Sequence, residues 1–169
     1  AFTLDPQSPS GPTDLRYLAA PSGIALDEGG RLYVADAYVR VVVFTALSTG
    51  SAAQRLIGGV YNSQRQPLEP PTERSLDTPE GVFVVGSTPF VIDSGNNRIL
   101  RFDPYSQWPA DPKVTPPARA WIGQETLYDY KPNRGSSLAQ AGSLHGPVAA
   151  AYFDGELYVA DSLNHRVIV

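Results

Sequence analysis

The chain has 169 residues, and its 13 basic and 17 acidic side chains give a formal net charge of −4. This balance excludes the overall positive field on which binding to a nucleic-acid backbone depends. Cysteine is absent, which excludes disulfides, thiolate catalysis and thiolate zinc sites, and no apolar stretch approaches the length of a membrane span.

Taken in chain order, the apolar stretches are short, rich in Val, Ile, Tyr and Phe, and bounded by Gly, Pro, Asp or Ser. This composition and this length are typical of β-strands. The predicted strands are residues 2–4, 24–26, 32–35, 40–44, 55–58, 82–85, 90–92, 120–123, 157–160 and 166–169. Glycine-containing turns at residues 28–30, 86–87 and 154–155 are placed to join the first two strands of each group.

Three of these strands show little alternation between apolar and polar residues. They are residues 40–44, 82–85 and 166–169. A continuous apolar run in a strand indicates burial on both faces. We therefore expect sheets that are stacked face to face.

One phrase occurs three times in the chain. It begins at Leu18, Leu76 and Leu144, has a proline three residues later, and reaches an aspartate 15, 14 and 14 residues after that proline. Such regular spacing indicates one supersecondary unit that is used three times. The three copies, each with its outer strand placed first, occupy residues 1–46, 54–104 and 118–169.

Residues 157–167, which read Leu-Tyr-Val-Ala-Asp-Ser-Leu-Asn-His-Arg-Val, resemble the NHL repeat. The second copy is similar at residues 96–99, which read Asn-Asn-Arg-Ile. The first copy departs at residues 38–41, and the third copy has Ala149 where the first two copies have glycine. The resemblance implies an all-β fold, a β-propeller of four-stranded antiparallel blades. About three of the usual six blades are present, as a single unit over residues 1–169.

An acidic and a basic residue recur at equivalent positions in every copy. The aspartate ends one strand and the arginine begins the next, so we expect them to pair across a short hairpin or to bond its backbone amides. Repetition in all copies favours a structural role, because an active site needs its groups only once. These structural repeat residues are Asp36, Arg40, Asp93, Arg98, Asp161 and Arg166.

The sequence predicts no catalytic, cofactor-binding or metal-binding residue, and no cofactor. His145 and His165 are the two histidines of the chain, fewer than the three-histidine metal site that the resemblance implies for amidating lyases of this family. His165 lies within the repeat phrase, where closing a hairpin is its expected task. Residue spacings for a calcium loop and for a serine nucleophile elbow are also missing.

The segments that differ between copies carry the functional prediction. The long connections are residues 59–75, 103–118 and 124–143, and they mix aromatic rings with Pro, Asn, Gln and Arg, a composition typical of contact surfaces. We predict a contact surface that includes Tyr61, Tyr128 and Tyr130, and we expect Tyr105 and Trp108 to pack down on the sheets. Connections 59–75 and 124–143 are expected to be neighbours on one face.

The sequence therefore favours a non-catalytic NHL-repeat propeller that serves as a scaffold or binding module for a protein, with a glycan as the alternative ligand. The competing hypothesis is a fragment of a propeller enzyme, a lyase or hydrolase, whose catalytic or metal groups lie in other blades. Three blades leave two apolar sheet faces uncovered, so the expected partners include the remaining blades of a longer chain or a second copy of this one. Loops rich in Pro, Ser, Thr and Tyr favour an extracytoplasmic bacterial setting.

Overall fold

The computed structural model describes residues 14–36, 39–48, 50–64 and 66–169, and within these residues the chain forms eleven strands in three antiparallel sheets. The all-β prediction is confirmed. No helix in the described part of the chain is long and apolar enough to cross a membrane. The predicted strand at residues 2–4 lies outside the described residues.

Each sheet is a meander in which consecutive strands pair with one another. The first sheet comprises β1 Pro21–Leu26, β2 Leu32–Asp36, β3 Arg40–Phe44 and β4 Arg55–Gly58. The second comprises β5 Pro79–Val85, β6 Thr88–Asp93, β7 Arg98–Phe102 and β8 Ala118–Ile122. The third comprises β9 Pro147–Phe153, β10 Glu156–Asp161 and β11 Arg166–Ile168. Short 3₁₀ turns occupy Ser94–Asn96, Tyr105–Gln107, Pro132–Gly135 and Ser162–Asn164.

The hairpin turns use residues that accept a left-handed backbone. Gly86 has a φ of 61° between β5 and β6, and Gly155 has a φ of 86° between β9 and β10. Asn97 and His165 have φ values of 54° and 53° in the next turn of each sheet, just before the arginine of the repeat. The backbone N–H of His165 donates to the Ser162 carbonyl oxygen at 3.0 Å, so this residue closes the turn with its backbone.

The sheets pack face to face through two apolar layers. Strands β2, β3 and β4 of the first sheet contribute to the first layer, and β5, β6 and β7 of the second sheet cover them. The opposite face of the second sheet packs against the third sheet in the same manner. The fully buried members of the first layer include Tyr33, Ala35, Val41, Val43, Ile57, Val91, Leu100 and Phe102.

The first strands of the sheets lie side by side, and glycine permits their close approach. A methyl group at Gly23 of β1 would come within 2.9 Å of the Gly81 Cα on β5. Ala149 occupies the equivalent position on β9, where its side chain is exposed. The departure of the third copy from glycine is therefore tolerated because no described strand presses on Ala149.

A leucine of the repeat phrase fits against a glycine at the end of the preceding sheet. The Leu76 side chain lies next to Gly58, so closely that a methyl group there would be 2.8 Å from Leu76 Cδ1. Leu144 and Gly123 repeat this contact, with a corresponding distance of 2.7 Å. Both leucines are 1% exposed. Each contact therefore fixes one sheet against the next. Any side chain at Gly58 or Gly123 would clash with the leucine that packs on it.

The aspartates and arginines of the repeat form buried pairs across the turn between the second and third strands. In the second sheet the Asp93 and Arg98 side chains are both fully buried. Burial raises the pKa of the Asp93 carboxyl, and the charge of Arg98 and a hydrogen bond from the Asp77 backbone oppose that rise. The Nε to Oδ2 distances are 3.0 Å for Arg40 and Asp36, 2.7 Å for Arg98 and Asp93, and 2.7 Å for Arg166 and Asp161.

Each pair also binds the segment that leads into the first strand of its own sheet. The second carboxylate oxygen of Asp93 accepts a hydrogen bond from the Asp77 N–H at 2.6 Å, and Arg98 Nη2 donates to the Ser75 carbonyl at 3.0 Å. The other two sheets repeat both contacts. The equivalent amide donors are Ala19 and His145, and the equivalent carbonyl acceptors are Tyr17 and Ser143.

The sequence predicts that both outer faces of the stack are uncovered, and the first sheet departs from this prediction. On the first sheet, Val34, Val42 and Phe44 are buried, and Leu15 and Leu18 pack against them. That face is therefore covered over its middle strands by the chain itself.

The prediction that residues 166–169 are buried on both faces is wrong. Val167 and Val169 are each 68% exposed, because no described residue covers the outer face of the third sheet. The apolar run shows that the strand is suited to burial on both faces, although the described residues bury only one of them.

Removing the arginine from a fully buried ion pair should lower the free energy of unfolding more than removing a partly exposed arginine. Arg98→Met leaves the Asp93 carboxylate without its cation in a fully buried position, and we expect a loss of about 3–5 kcal/mol in the free energy of unfolding. The Arg166 side chain is 27% exposed, although that of Asp161 is fully buried. Arg166→Met should therefore cost less, about 1–2 kcal/mol, because water can enter the space that the partly exposed arginine leaves. Urea titration measures both losses, and equal losses would contradict this account.

Thr78 offers a test of backbone strain. This exposed, β-branched residue has a φ of 46° where the third copy has Gly146 with a φ of 57°. A left-handed conformation costs roughly 1–2 kcal/mol for a residue with a β-carbon, against roughly 0.4–1 kcal/mol of extra unfolded-state entropy for glycine. Thr78→Gly should therefore stabilise the protein by about 0.5–1 kcal/mol in urea titration. Thr78→Ala keeps the β-carbon, and a similar gain for this control would rule out the backbone explanation.

Candidate functional site

The two connections predicted to be neighbours meet at the side chain of Arg98. In an antiparallel meander, the turn between the second and third strands and the connection to the next sheet lie at the same end. We call this the connection end of the stack. Arg98 Nη2 donates to Ser75 of connection 59–75, and Nη1 donates to the carbonyl oxygen of Leu127 in connection 124–143. One buried guanidinium thus holds both segments.

Connection 124–143 is anchored to the second sheet by two amide side chains. Gln124 Nε2 lies 3.1 Å from the carbonyl oxygens of both Asn96 and Asn97, and 3.0 Å from that of Lys131. Asn97 Nδ2 donates to the Tyr130 carbonyl at 2.8 Å, and Asn97 Oδ1 accepts from the Gly146 N–H at 2.8 Å. These contacts hold the backbone of residues 124–131 against the turn between β6 and β7.

A tight turn at residues 126–129 decides which side chains face outward. Asp129 Oδ2 accepts hydrogen bonds from the Thr126 backbone N–H at 2.9 Å and from its hydroxyl at 2.7 Å. Leu127 is buried in the layer between the first two sheets, while Tyr128 is 55% exposed. The turn therefore presents the Tyr128 ring to solvent while its neighbour anchors the backbone.

The far part of the connection is fixed to the third sheet through Asn133. This residue is buried and has a φ of 52°, a conformation that asparagine tolerates better than most residues. Its side-chain amide exchanges two hydrogen bonds with that of Asn164, at 3.0 and 2.8 Å. Ser143 Oγ donates to Asn133 Oδ1 at 3.1 Å. The connection is thus held at both of its ends.

A cavity of about 200 Å³ lies in this connection. Its wall carries two carboxylates, two cationic groups, an amide and a phenol, and no ion pair joins these groups to one another within the described part of the chain. The residues that line it are Gln124, Glu125, Asp129, Tyr130, Lys131 and Arg134. We call these six residues, together with Tyr128, the 124–134 surface.

One polar atom of the 124–134 surface is unsatisfied. Gln124 Oε1 is buried and accepts no hydrogen bond from the described residues. The three carbonyl oxygens around Nε2 fix the orientation of this amide, since an oxygen there would face three acceptors. Gln124 therefore retains one acceptor that the described residues do not use.

The three predicted contact tyrosines differ in their exposure and in the connection to which they belong. Tyr128 is exposed, Tyr130 is half-buried and lines the cavity, and both belong to connection 124–143. Tyr61 is half-buried in connection 59–75. A wider depression of about 430 Å³ lies in that connection, lined by Asn62, Gln66, Pro67, Leu68, Glu69 and Asp77. Tyr61 does not line either cavity.

Sequence reasoning missed the residues that position the tyrosines. Gln124, Asp129 and Asn133 lie in a segment without a repeat counterpart, so their spacing gives no signal. The single usable clue is Gly123, which marks the end of an outer strand and so the start of the connection. Asp93 and Arg98 are predicted as structural residues, but the hydrogen bond from Arg98 to the Leu127 carbonyl is visible only in the folded geometry.

At the opposite end of the stack, charged groups surround the turn between β1 and β2. The Asp27 carboxylate accepts hydrogen bonds from the Arg31 N–H at 2.9 Å, from Arg31 Nε at 2.7 Å and from the Tyr33 hydroxyl at 3.1 Å. Burial alone would raise the pKa of Asp27, but these hydrogen bonds outweigh it and lower the pKa below its ordinary value of 3.8. Burial also raises the pKa of Tyr33.

Tyr105 and Trp108 pack down on the first sheet, as the sequence predicts. Trp108 is 7% exposed and meets the Tyr33 ring edge-on at 6.3 Å between centroids. The Arg31 guanidinium lies 4.8 Å from the centroid of the Tyr105 ring, a cation–π distance. These rings therefore stabilise connection 103–118 against the sheet.

Within the described residues, no group of three His, Cys, Asp or Glu side chains is placed to hold a metal ion. The chain matches no protein-family model, and it matches no curated protein. It is similar to a solved structural-genomics protein of unknown function from Bacteroides thetaiotaomicron, with 18% sequence identity and a TM-score of 0.48. The match covers 82% of this chain and 30% of that chain.

The Asp27 cluster predicts a pH-dependent stability difference. Because the pKa is lowered on folding, ionised Asp27 stabilises the protein above its ordinary pKa of 3.8, and the contribution disappears as the pH falls through the lower folded value. Asp27→Asn should cost about 1–2 kcal/mol near neutral pH, and the deficit should shrink below about pH 4. Urea titrations across this range measure it. A deficit that stays constant into strong acid would contradict this assignment, and Asp154→Asn in an exposed turn serves as the control.

Proposed function

We propose that the chain is a non-catalytic, NHL-type β-propeller segment that binds a peptide segment of a protein partner through the 124–134 surface. The proposal has an architectural part and a binding part. Each has its own support.

The architectural part rests on the similarity of the three sheets. Each is an antiparallel meander, each packs its face on the next, and the first strands of neighbouring sheets lie side by side. The leucine and glycine contact recurs with the same geometry in both junctions between sheets. Radial stacking of such units is the arrangement of propeller blades.

The single observation that carries the binding part is the exposed Tyr128 ring on a backbone that cannot easily move. An aromatic ring fixed before binding loses little conformational entropy when a partner covers it. Hydrogen bonds of Arg98, Asn97 and Gln124 fix this backbone against the second sheet. Asn133 fixes the same connection to the third sheet through Asn164. The next residue, Asp129, lines the cavity, so an exposed aromatic ring and a cavity belong to one short segment, a combination that suits a binding hot spot.

The chemistry of the surface favours a peptide. The cavity wall carries both carboxylates and cations, which suits a ligand that carries both signs of charge. The unused acceptor of Gln124 suits a backbone N–H or another donor, once small side-chain movements admit it. A glycan would stack on the tyrosine rings without using the two cations, so a peptide accounts for more of the surface.

The non-catalytic assignment rests on the role of the buried charges. Asp36, Asp93 and Asp161 each bind an arginine and a backbone amide in equivalent positions, so their hydrogen-bonding capacity serves the fold. Stoichiometric zinc or calcium in the purified protein would favour the alternative, a fragment of a propeller lyase or hydrolase.

Selection of random peptides on the immobilised protein tests the binding part. Recovered peptides should bind Tyr128→Ala about 30-fold or more weakly than the parent, since truncating a hot-spot aromatic costs about 2 kcal/mol or more. Tyr130→Ala should weaken binding in the same direction. Tyr152→Ala, which removes an exposed tyrosine from the third sheet, is the matched control.

Two outcomes would overturn the peptide proposal. Recovered peptides that bind the Tyr128 and Tyr130 variants as well as the parent would place binding elsewhere. Failure to recover peptides, combined with Tyr128-dependent binding on a glycan array, would assign the surface to a glycan instead.

A further inference from the structure

A buried arginine at the start of β4 has no acidic partner among the described residues. Arg55 is 7% exposed, and its guanidinium makes one hydrogen bond there, from Nη2 to the Pro109 carbonyl oxygen at 2.9 Å. Its Nε is buried and donates to no acceptor. A buried cation without a counter-ion and without a full set of acceptors is costly. Arg55 therefore has binding capacity that the described residues do not use.

Two aromatic rings hold the Arg55 guanidinium in place. Its central carbon lies 5.6 Å from the centroid of the Tyr105 ring and 5.5 Å from that of the Trp108 ring, which are cation–π distances. The indole is itself fixed, because Trp108 Nε1 donates to the Asp103 carbonyl oxygen at 2.7 Å. A ring face attracts the positive charge, but the N–H groups at the edge of the guanidinium still require acceptors.

A second arginine contacts the same tyrosine ring. The Arg31 guanidinium lies 4.8 Å from the centroid of the Tyr105 ring. Its Nε donates to Asp27 Oδ2 at 2.7 Å, and this bond uses one of the five N–H donors that a guanidinium carries. The Arg31 side chain is 24% exposed. A small solute can therefore reach its outer edge.

Positive charge exceeds paired negative charge at this tyrosine. Among the described residues, Asp27 is the only carboxylate that forms an ion pair with either arginine, and its partner is Arg31. Glu28 of the same turn is exposed and pairs with neither. The hydrogen bonds to Asp27 lower its pKa, so it is ionised near neutral pH and balances one cation. The charge of Arg55 remains unbalanced.

We propose that Arg31 and Arg55 form a binding site for a small oxyanion, a phosphate or carboxylate group, beside the Tyr105 ring. The planar guanidinium presents its N–H groups in a fork that matches two oxygens of such a group. The anion supplies the acceptors that Arg55 lacks and balances its charge. Because the ring already positions both guanidiniums, little side-chain freedom is lost on binding.

The burial of Arg55 limits the size of the ligand. With 7% of this residue exposed, a single oxyanion or a projecting anionic group reaches it, whereas an extended chain does not. The site lies between the first two sheets, at the end of the stack opposite to the connection end. It is therefore independent of the 124–134 surface and of the peptide proposal.

Isothermal titration calorimetry with inorganic phosphate, and separately with acetate, tests the proposal at low ionic strength. The protein should bind one anion per chain at millimolar concentrations. Arg55→Met keeps an apolar side chain against the rings and leaves no carboxylate without its cation, so we expect it to fold. It should raise the dissociation constant by more than about tenfold, since a charge-assisted hydrogen bond is lost.

Thermal unfolding provides a second readout. Phosphate should raise the melting temperature of the parent protein above that in chloride of equal ionic strength, because it binds the folded state, and this rise should be absent from Arg55→Met. Arg31→Lys keeps a cation beside Asp27 but loses the fork, so it should weaken binding while folding normally. Arg119→Met is the matched control, because Arg119 is 51% exposed and pairs with Asp103.

The two anions distinguish the sources of the ligand. Binding of phosphate alone would assign the site to phosphate groups, and binding of acetate alone would assign it to carboxylates. Failure of both to bind would overturn the proposal, as would equal binding by Arg55→Met and the parent. Loss of binding in Arg134→Gln, with retention in Arg55→Met, would move the anion to the 124–134 surface. Circular dichroism of each variant confirms that the fold is retained.

Discussion

The buried pair of aspartate and arginine is the interaction on which the rest of the structure depends. Two charges removed from water cost several kcal/mol each by order of magnitude, and they are tolerated only where their remaining hydrogen bonds are satisfied. Asp93 meets this condition with the Arg98 guanidinium, the Asp77 amide and the Asn96 side chain. The turn and the segment leading into the first strand of the sheet must therefore both be in place before the pair is stable. A local ion pair thus enforces a contact between parts of the chain 16 residues apart.

The arginine of this pair also contributes to the candidate site. In the second sheet the guanidinium has donors left over after it has bound Asp93, and these bind both long connections of the connection end. The exposed ring of Tyr128 follows directly after Leu127, whose carbonyl receives one of these bonds. The residue that the sequence predicts as purely structural therefore also positions the surface for which binding is proposed. Arg98 serves the fold and Tyr128 serves the proposed binding, and the backbone at Leu127 connects the two roles.

Much of the fold could be predicted because its signals are local or repeated. The strands, the turns at Gly86 and Gly155 and the pairing of Asp161 with Arg166 follow from signals within one copy of the repeat. The site could be predicted only as a segment, since the exposure of Tyr128 is decided by the turn that Asp129 closes and by the anchor at Gln124, neither of which recurs. The exposure of Val167 agrees with the uncovered outer face expected for three stacked sheets, and it disagrees with the burial expected from the apolar run of residues 166–169. An apolar run shows which environment suits a strand, and whether that environment is supplied depends on other sheets.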